Sequence, residues 1–225
     1  MLLCIDNVLP ASALKQVRML AGSAQWEDGA ATAGEQAQSV KCNEQIPLHS
    51  VVAERAGRIV LDALYSNPVF LSATLPVRIL PPMFNRYRVG QTYGAHIDNS
   101  IRTGPEGRIR ADVSSTIFLS DPEDYDGGEL TIETSFGAQS VKLPAGSMVL
   151  YPASSLHRVT PVTKGERLGC FFWTQSMIRN NEDRANLFDM DRTIQLLQVE
   201  RGTTDPACIT LSGLYHNFVR RWAET

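Results

Sequence analysis

Two short stretches of this chain carry residue types that could hold a metal ion. In Tyr93-Gly94-Ala95-His96-Ile97-Asp98, His96 and Asp98 stand at i and i+2, so an extended backbone projects both side chains from one face. His157, 59 residues beyond Asp98, opens another β-rich run. Two imidazoles and one carboxylate form the set that binds non-haem Fe(II) on one face of an octahedron and leaves positions open for small molecules. Alone, a His-x-Asp is better explained by a solvated strand end. Arg167 changes the weighing. It lies ten residues past His157, within Arg167-Leu168-Gly169-Cys170-Phe171-Phe172-Trp173. Strand alternation puts Arg167, Gly169, Phe171 and Trp173 on one face, so a guanidinium falls in an otherwise apolar or small row. A buried arginine demands an anion.

These residues need a rigid frame. The chain has 225 residues, 43% of them hydrophobic and 20% charged, with a mean hydropathy of -0.14, as in ordinary globular proteins with a sizeable core. Twenty-one Lys and Arg against 24 Asp and Glu leave a formal charge of -3, and no basic block exceeds Arg220-Arg221, which gives a nucleic-acid groove little support. No apolar run is long enough for a membrane span, and Met1-Leu2-Leu3-Cys4-Ile5-Asp6 lacks the basic and apolar regions of a signal peptide, so a cytoplasmic protein is expected. Cys4, Cys42, Cys170 and Cys208 are widely spaced, without a CxxC pair, and read as reduced and mostly buried.

A short strand, Leu2 to Val8, precedes a helix from about Pro10 to Leu20. Trp26 to Lys41, rich in Gly, Ala, Ser and Gln, has weak periodicity and reads as a mobile loop. Apolar residues at helical spacing predict a helix from about Leu48 to Tyr65, stopped by Asn67-Pro68. From Val69 to Thr174 the texture turns β-rich: about eight short runs with no intervening helix, which argues for a sandwich or jelly roll. Asp126-Gly127-Gly128-Glu129 reads as a hairpin turn. Two amphipathic segments, Asn181 to Gly202 and Asp205 to Glu224, predict a C-terminal helical hairpin whose faces must bury against the core or a second subunit, leaving room for a homodimer. The expected divisions are a supporting region at 1–77, the β domain at 78–176 and a helical region at 177–225. His49 and His216 fall in predicted helices without partner spacing and read as structural or surface histidines.

The order His-x-Asp, a distant His, then Arg ten residues later resembles the Fe(II)- and 2-oxoglutarate-dependent dioxygenases of the prolyl/lysyl hydroxylase class. More closely, Tyr87-Arg88-Val89-Gly90-Gln91-Thr92-Tyr93-Gly94-Ala95-His96-Ile97-Asp98, with Asp126-Gly127-Gly128-Glu129-Leu130 and Gly146-Ser147-Met148-Val149-Leu150-Tyr151-Pro152, is similar to the bacterial PKHD-type hydroxylases, over the whole chain. The resemblance implies a mainly β fold with flanking helices, its core a double-stranded β-helix or jelly roll. It implies Fe(II) on His96, Asp98 and His157, and 2-oxoglutarate anchored at its far carboxylate by Arg167. Tyr87 would add a phenol donor there; read without the resemblance, it is equally a core aromatic with a wet hydroxyl. Asn85 shares its strand face and is a weaker candidate, while Phe171 and Trp173 read as wall and core.

The chemistry so implied consumes O2 and 2-oxoglutarate, releases succinate and CO2, and hydroxylates a small-molecule or peptide substrate: a prolyl or lysyl group, a free amino acid or a siderophore-like molecule. A link with iron uptake and a use of L-ascorbate are implied by the same resemblance. Related halogenases lack the carboxylate ligand, so Asp98 favours hydroxylation. The competing readings are a cupin-like metal-binding jelly roll without oxygenase activity, which would normally carry an HxH absent here, and a metal-free binding module on the same fold. A Ser-His-Asp hydrolase lacks its GxSxG.

Overall fold

The computed structural model describes residues 1–32 and 38–224. Its larger antiparallel sheet runs in the spatial order β1 (Leu3–Ile5), β14 (Met148–Pro152), β10 (Val113–Phe118), β17 (Arg167–Ser176), β6 (Met83–Tyr87), β4 (Glu44–Gln45) and β2 (Glu27–Asp28), and β5 (Pro76–Ile79) pairs with the far end of β17. The smaller sheet runs β13 (Gly137–Val141), β12 (Leu130–Thr134), β15 (His157–Val159), β7 (Thr92–His96) and β3 (Lys41–Cys42). Two separate pairs complete the β structure, β8 (Ile101–Gly104) with β9 (Gly107–Arg110) and β11 (Tyr125–Gly127) with β16 (Val162–Gly165). The two main sheets face one another as a jelly roll. Phe118, Val149 and Tyr151 from the larger meet Leu130, Ile132, Val141 and Val159 from the smaller in one buried cluster.

Alternation along β17 divides its side chains between two environments. Cys170 and Phe172 point outward, into a core shared with helices α1 (Ala11–Gly22), α2 (Val51–Tyr65) and α3 (Pro68–Thr74) through Val17, Ala56, Val60, Leu64 and Phe70. Phe70 meets Phe172 edge-on at 6.2 Å. Arg167, Phe171 and Trp173 point the other way, toward the cleft between the sheets. The helical layer thus buries the back of the larger sheet, each fully buried large side chain contributing about 1.5–3 kcal/mol, and leaves the front free to carry function.

The C-terminal hairpin forms as expected, from α4 (Asn181–Arg201) and α5 (Pro206–Trp222), with Asn180 and Asp205 as N-caps. It packs on the helical layer: Phe188 joins the outer core, and Ser72 Oγ donates to Asp191 at 2.6 Å. Arg110 then ties the chain end to the sheet, pairing with Asp112 at 2.7 Å and Glu224 at 2.8 Å.

Several expectations need correction. The strand count was too low, and the β texture does not begin at Val69. Asn67-Pro68 ends one helix and starts another, because the Asn67 side chain accepts from Phe70 N–H at 2.9 Å and Pro68 suits the first helical turn. The segment read as a mobile loop contains β2, a 3-10 turn at Gly29–Thr32 and the start of β3; its residues 33–37 lie outside those described. His49 is not helical: it is exposed and precedes the Ser50 N-cap of α2. Asp126-Gly127 is not a hairpin turn but a bulged strand pairing with β16. Of the four free cysteines only Cys170 and Cys208 are buried; Cys4 and Cys42 are exposed. Among the described residues no helix is long and apolar enough to cross a membrane.

Candidate metal site and the arginine facing it

His96 ends β7 and His157 opens β15, and the pairing of these strands sets the two residues directly opposite, with ring centroids 4.2 Å apart. Asp98 follows two residues later, as the i, i+2 spacing required. One ligand atom from each of His96, Asp98 and His157 lies within 4.8 Å of the others. His157 Nε2 is 4.0 Å from Asp98 Oδ2, a buried oxygen without a hydrogen-bond partner among the described residues.

Both imidazoles are held in the tautomer a metal needs. His96 Nδ1 donates to Gly94 O at 2.8 Å and His157 Nδ1 donates to Ser155 O at 3.0 Å; a carbonyl can only accept, so each Nδ1 carries the proton and each Nε2 presents a lone pair. Tyr93 stacks on His96 at 3.6 Å, and Tyr151 meets His157 edge-on at 5.1 Å. Burial, and next the neighbouring His157, push the His96 pKa down to about 4, which keeps that ring neutral at ordinary pH. An orphaned carboxylate oxygen beside two bare imidazole nitrogens fits a divalent cation taking N and O ligands.

On the opposite sheet Arg167 stands in register with Tyr87, on β17 and β6. Arg167 is 2% exposed, its guanidinium lies 5.2 Å from the Tyr87 ring and 5.3 Å from the Phe118 ring, and it has no ion-pair partner among the described residues. Space for it comes from two glycines. A Cβ at Gly169 would sit 3.4 Å from Arg167 Nη1, and one at Gly128, where φ is +66°, would sit 3.1 Å from Arg167 Cδ. Tyr87 is buried, so the wet-hydroxyl reading fails, and burial raises its pKa and keeps the phenol protonated as a donor.

The three possible metal ligands and Arg167 open on one cleft, whose empty space comes to about 700 Å³. Tyr87 and Asn85 line it, as do Phe171 and Trp173, so every site residue read from the sequence converges there. His216 does not; it is exposed on α5. Lys41, Arg102 and Tyr93 also line the cleft and were not singled out in the sequence. Tyr93 was legible three residues before His96; the two cations had no local signal.

A jelly roll carrying two histidines and a carboxylate on one wall and a buried arginine on the other defines the class of 2-oxoglutarate- and Fe(II)-dependent oxygenases, and residues 82–175 match the 2OG-Fe(II) oxygenase superfamily. A solved prolyl hydroxylase from Trichoplax adhaerens, in complex with a hypoxia inducible factor peptide fragment, shares the fold with a TM-score of 0.57 at 18% identity, covering 83% of this chain and 86% of that one. Residues 181–224 match the PKHD-type hydroxylase C-terminal domain. PKHD-type hydroxylases from Methylobacillus flagellatus and Rhizorhabdus wittichii are 52% and 51% identical to the chain, each over 100% of both sequences. The chain belongs to the PKHD-type hydroxylase family, and is an oxidoreductase that uses Fe(II) and 2-oxoglutarate.

Proposed function

We propose that His96, Asp98 and His157 hold Fe(II), and that Arg167 and Tyr87 bind the C5 carboxylate of 2-oxoglutarate, in an enzyme that hydroxylates an aliphatic C–H group of a substrate entering by the cleft mouth. The observation that carries this reading is the buried Arg167, without an ion pair among the described residues, opening on the same cleft as three convergent groups able to ligate a metal. Facing sheets stand ~10 Å apart, and 2-oxoglutarate is on the order of 5 Å between its terminal carbons by ordinary bond lengths, so one molecule can reach from the ligand wall to the guanidinium.

Iron, when bound, supplies the redox chemistry that couples O2 and 2-oxoglutarate to substrate oxidation. The chain's own residues position and protect. The Gly94 and Ser155 carbonyls keep both Nε2 atoms bare and aimed. The planar fork of Arg167 suits two parallel charge-assisted hydrogen bonds to a carboxylate, and the Tyr87 phenol adds a neutral donor without a competing charge. Leu130 and Val159 line the cleft with apolar surface that keeps water from the far end of the co-substrate.

The test is an anaerobic titration of metal-free protein with Fe(II) and then 2-oxoglutarate, followed by admission of O2 and quantification of succinate. Stoichiometric metal binding, 2-oxoglutarate binding that needs Arg167, and O2-dependent succinate are expected. Metal binding unchanged in His96→Ala would sink the ligand assignment; binding of both without succinate would leave a cupin-like binding module.

A further inference from the structure

Arg167 has a neighbour that the cleft itself does not show. Tyr125, on β11, is 1% exposed and does not line the cleft. A Cβ built at Gly128 would lie 3.1 Å from Tyr125 Cε2 and 3.1 Å from Arg167 Cδ, so the two side chains face one another across that glycine. Cδ carries Arg167 Nε, and Cε2 adjoins the carbon that bears the Tyr125 hydroxyl. Arg167 Nε and Tyr125 Oη are both buried, and neither has a hydrogen-bond partner among the described residues. The guanidinium acts on the phenol as a charge and as a side-chain donor within reach, but the pair is not aligned as a formed hydrogen bond. The ring is fixed from elsewhere: Lys142 Nζ lies 4.0 Å from its centroid and donates to Tyr125 O at 2.6 Å, and Tyr125 pairs with Gly165 on β16.

Two polar atoms buried without partners are unfavourable until something joins them. Resting on the site assignment above, we infer that Tyr125 is a positioning residue of the co-substrate anchor: its hydroxyl oxygen accepts from Arg167 Nε–H in the co-substrate-bound state and so aims the terminal nitrogens of the guanidinium at the C5 carboxylate. A guanidinium can meet a carboxylate through Nη1 and Nη2 or through Nε and one Nη. A partner on Nε removes the second choice. The terminal side faces the cleft: a Cβ at Gly169 would sit 3.4 Å from Arg167 Nη1 and 3.0 Å from Oδ1 of Asn85, a cleft residue. The partner on Nε must also be neutral, because a carboxylate there would cancel the charge that 2-oxoglutarate needs. Burial raises the Tyr125 pKa, opposed only in part by the charge of Arg167, and the phenol stays protonated and neutral.

The test compares the unsubstituted protein with Tyr125→Phe, which removes the hydroxyl and keeps the ring beside Lys142. Both are loaded with nickel in place of iron, so that nothing turns over. Each is titrated calorimetrically with 2-oxoglutarate and with 2-oxopentanoate, which has the same carbon chain but no C5 carboxylate. Tyr125→Phe is expected to weaken 2-oxoglutarate about 3- to 10-fold, the size of one net hydrogen bond, and to leave nickel and 2-oxopentanoate binding unchanged. Added to Arg167→Met, and titrated at correspondingly higher co-substrate, it should cause no further loss, because the hydroxyl acts only through the arginine. Urea unfolding without metal or co-substrate gives a readout that a merely structural hydroxyl would move, and there Tyr125→Phe should be no less stable. Unchanged 2-oxoglutarate affinity, an equal loss with 2-oxopentanoate, a further loss on top of Arg167→Met, or a less stable resting protein overturns the inference. If the unsubstituted protein does not bind 2-oxoglutarate, or Arg167→Met binds it normally, the site assignment falls and takes this inference with it; if both hold and Tyr125→Phe binds normally, only the role of Tyr125 is refuted.

Discussion

His96 and His157 are cross-strand partners, each pinned through Nδ1 to the carbonyl of the residue two positions before it, at 2.8 and 3.0 Å. The same local device on two strands, facing across one ladder, aims both Nε2 atoms with little freedom left to lose on binding. Removing either ring should therefore cost more than about 100-fold in metal affinity, the upper end of the loss produced by removing an indirect partner of a ligand. His96→Ala and His157→Ala, titrated with Fe(II) under anaerobic conditions, should show this with the fold retained by circular dichroism. Near-normal affinity in either variant would exclude that ring as a ligand.

Arg167 makes a different prediction. Arg167→Met keeps most of the volume and removes the charge, so metal binding should persist while 2-oxoglutarate affinity falls by roughly 10- to 100-fold, the range for a lost charge-assisted hydrogen-bonded contact of about 1.5–3 kcal/mol. The variant should also be no less stable without co-substrate, because a buried cation with no ion pair among the described residues is replaced by an apolar group. Calorimetric titration and urea unfolding on the same preparation separate the two effects.

The three candidate metal ligands and Arg167 could be picked out of the sequence because their arrangement is local or periodic: i, i+2 about the end of one strand, the start of another, and one face of a third. Tyr87 came only from family likeness, since a phenol on a buried row has no signature of its own. Lys41 and Arg102 were not legible for a physical reason. Lys41 sits in a two-residue strand after a stretch of weak periodicity, and Arg102 lies in a polar hairpin whose alternation reads as a solvated ribbon; only the docking of that hairpin on Trp173 brings it to the cleft. The short helix after Asn67 was missed because one Asn-Pro pair both stops and caps.

The sequence reads Gly128 as part of a hairpin turn, which the strand pairing of Tyr125–Gly127 with β16 corrects, and nothing in the sequence signals its contact with Arg167. An alanine there would hold φ near +66° and place its Cβ 2.9 Å from Val162 Cγ2 and 3.1 Å from Arg167 Cδ. The left-handed conformation alone costs roughly 1–2 kcal/mol, and relief of the contact must move the arginine. Gly128→Ala should therefore lose stability in urea unfolding and weaken 2-oxoglutarate binding more than metal binding. Equal weakening of both would mean that the substitution disturbs the whole cleft rather than the anchor.

Lys41 supplies a stability test that needs neither metal nor co-substrate. Its residue is 8% exposed, and burial first, then the charge of Arg102, push its pKa from 10.5 down to about 8, with Asp28 and Asp98 opposing only in part. Below about pH 8 the folded and unfolded chains both hold the proton, and the folded state bears the full penalty of the buried ammonium. Between about pH 8 and pH 10.5 the unfolded chain holds more protons than the folded one, so this residue makes stability rise with pH until the penalty is gone. Lys41→Met should remove that rise and be the more stable protein at neutral pH. Other groups titrate in the same range, so the informative quantity is the difference between wild type and variant in urea unfolding at pH values on either side of 8. Parallel pH dependences would mean that the ammonium escapes to water, and would remove Lys41 from its place over the Tyr93 and Phe171 rings.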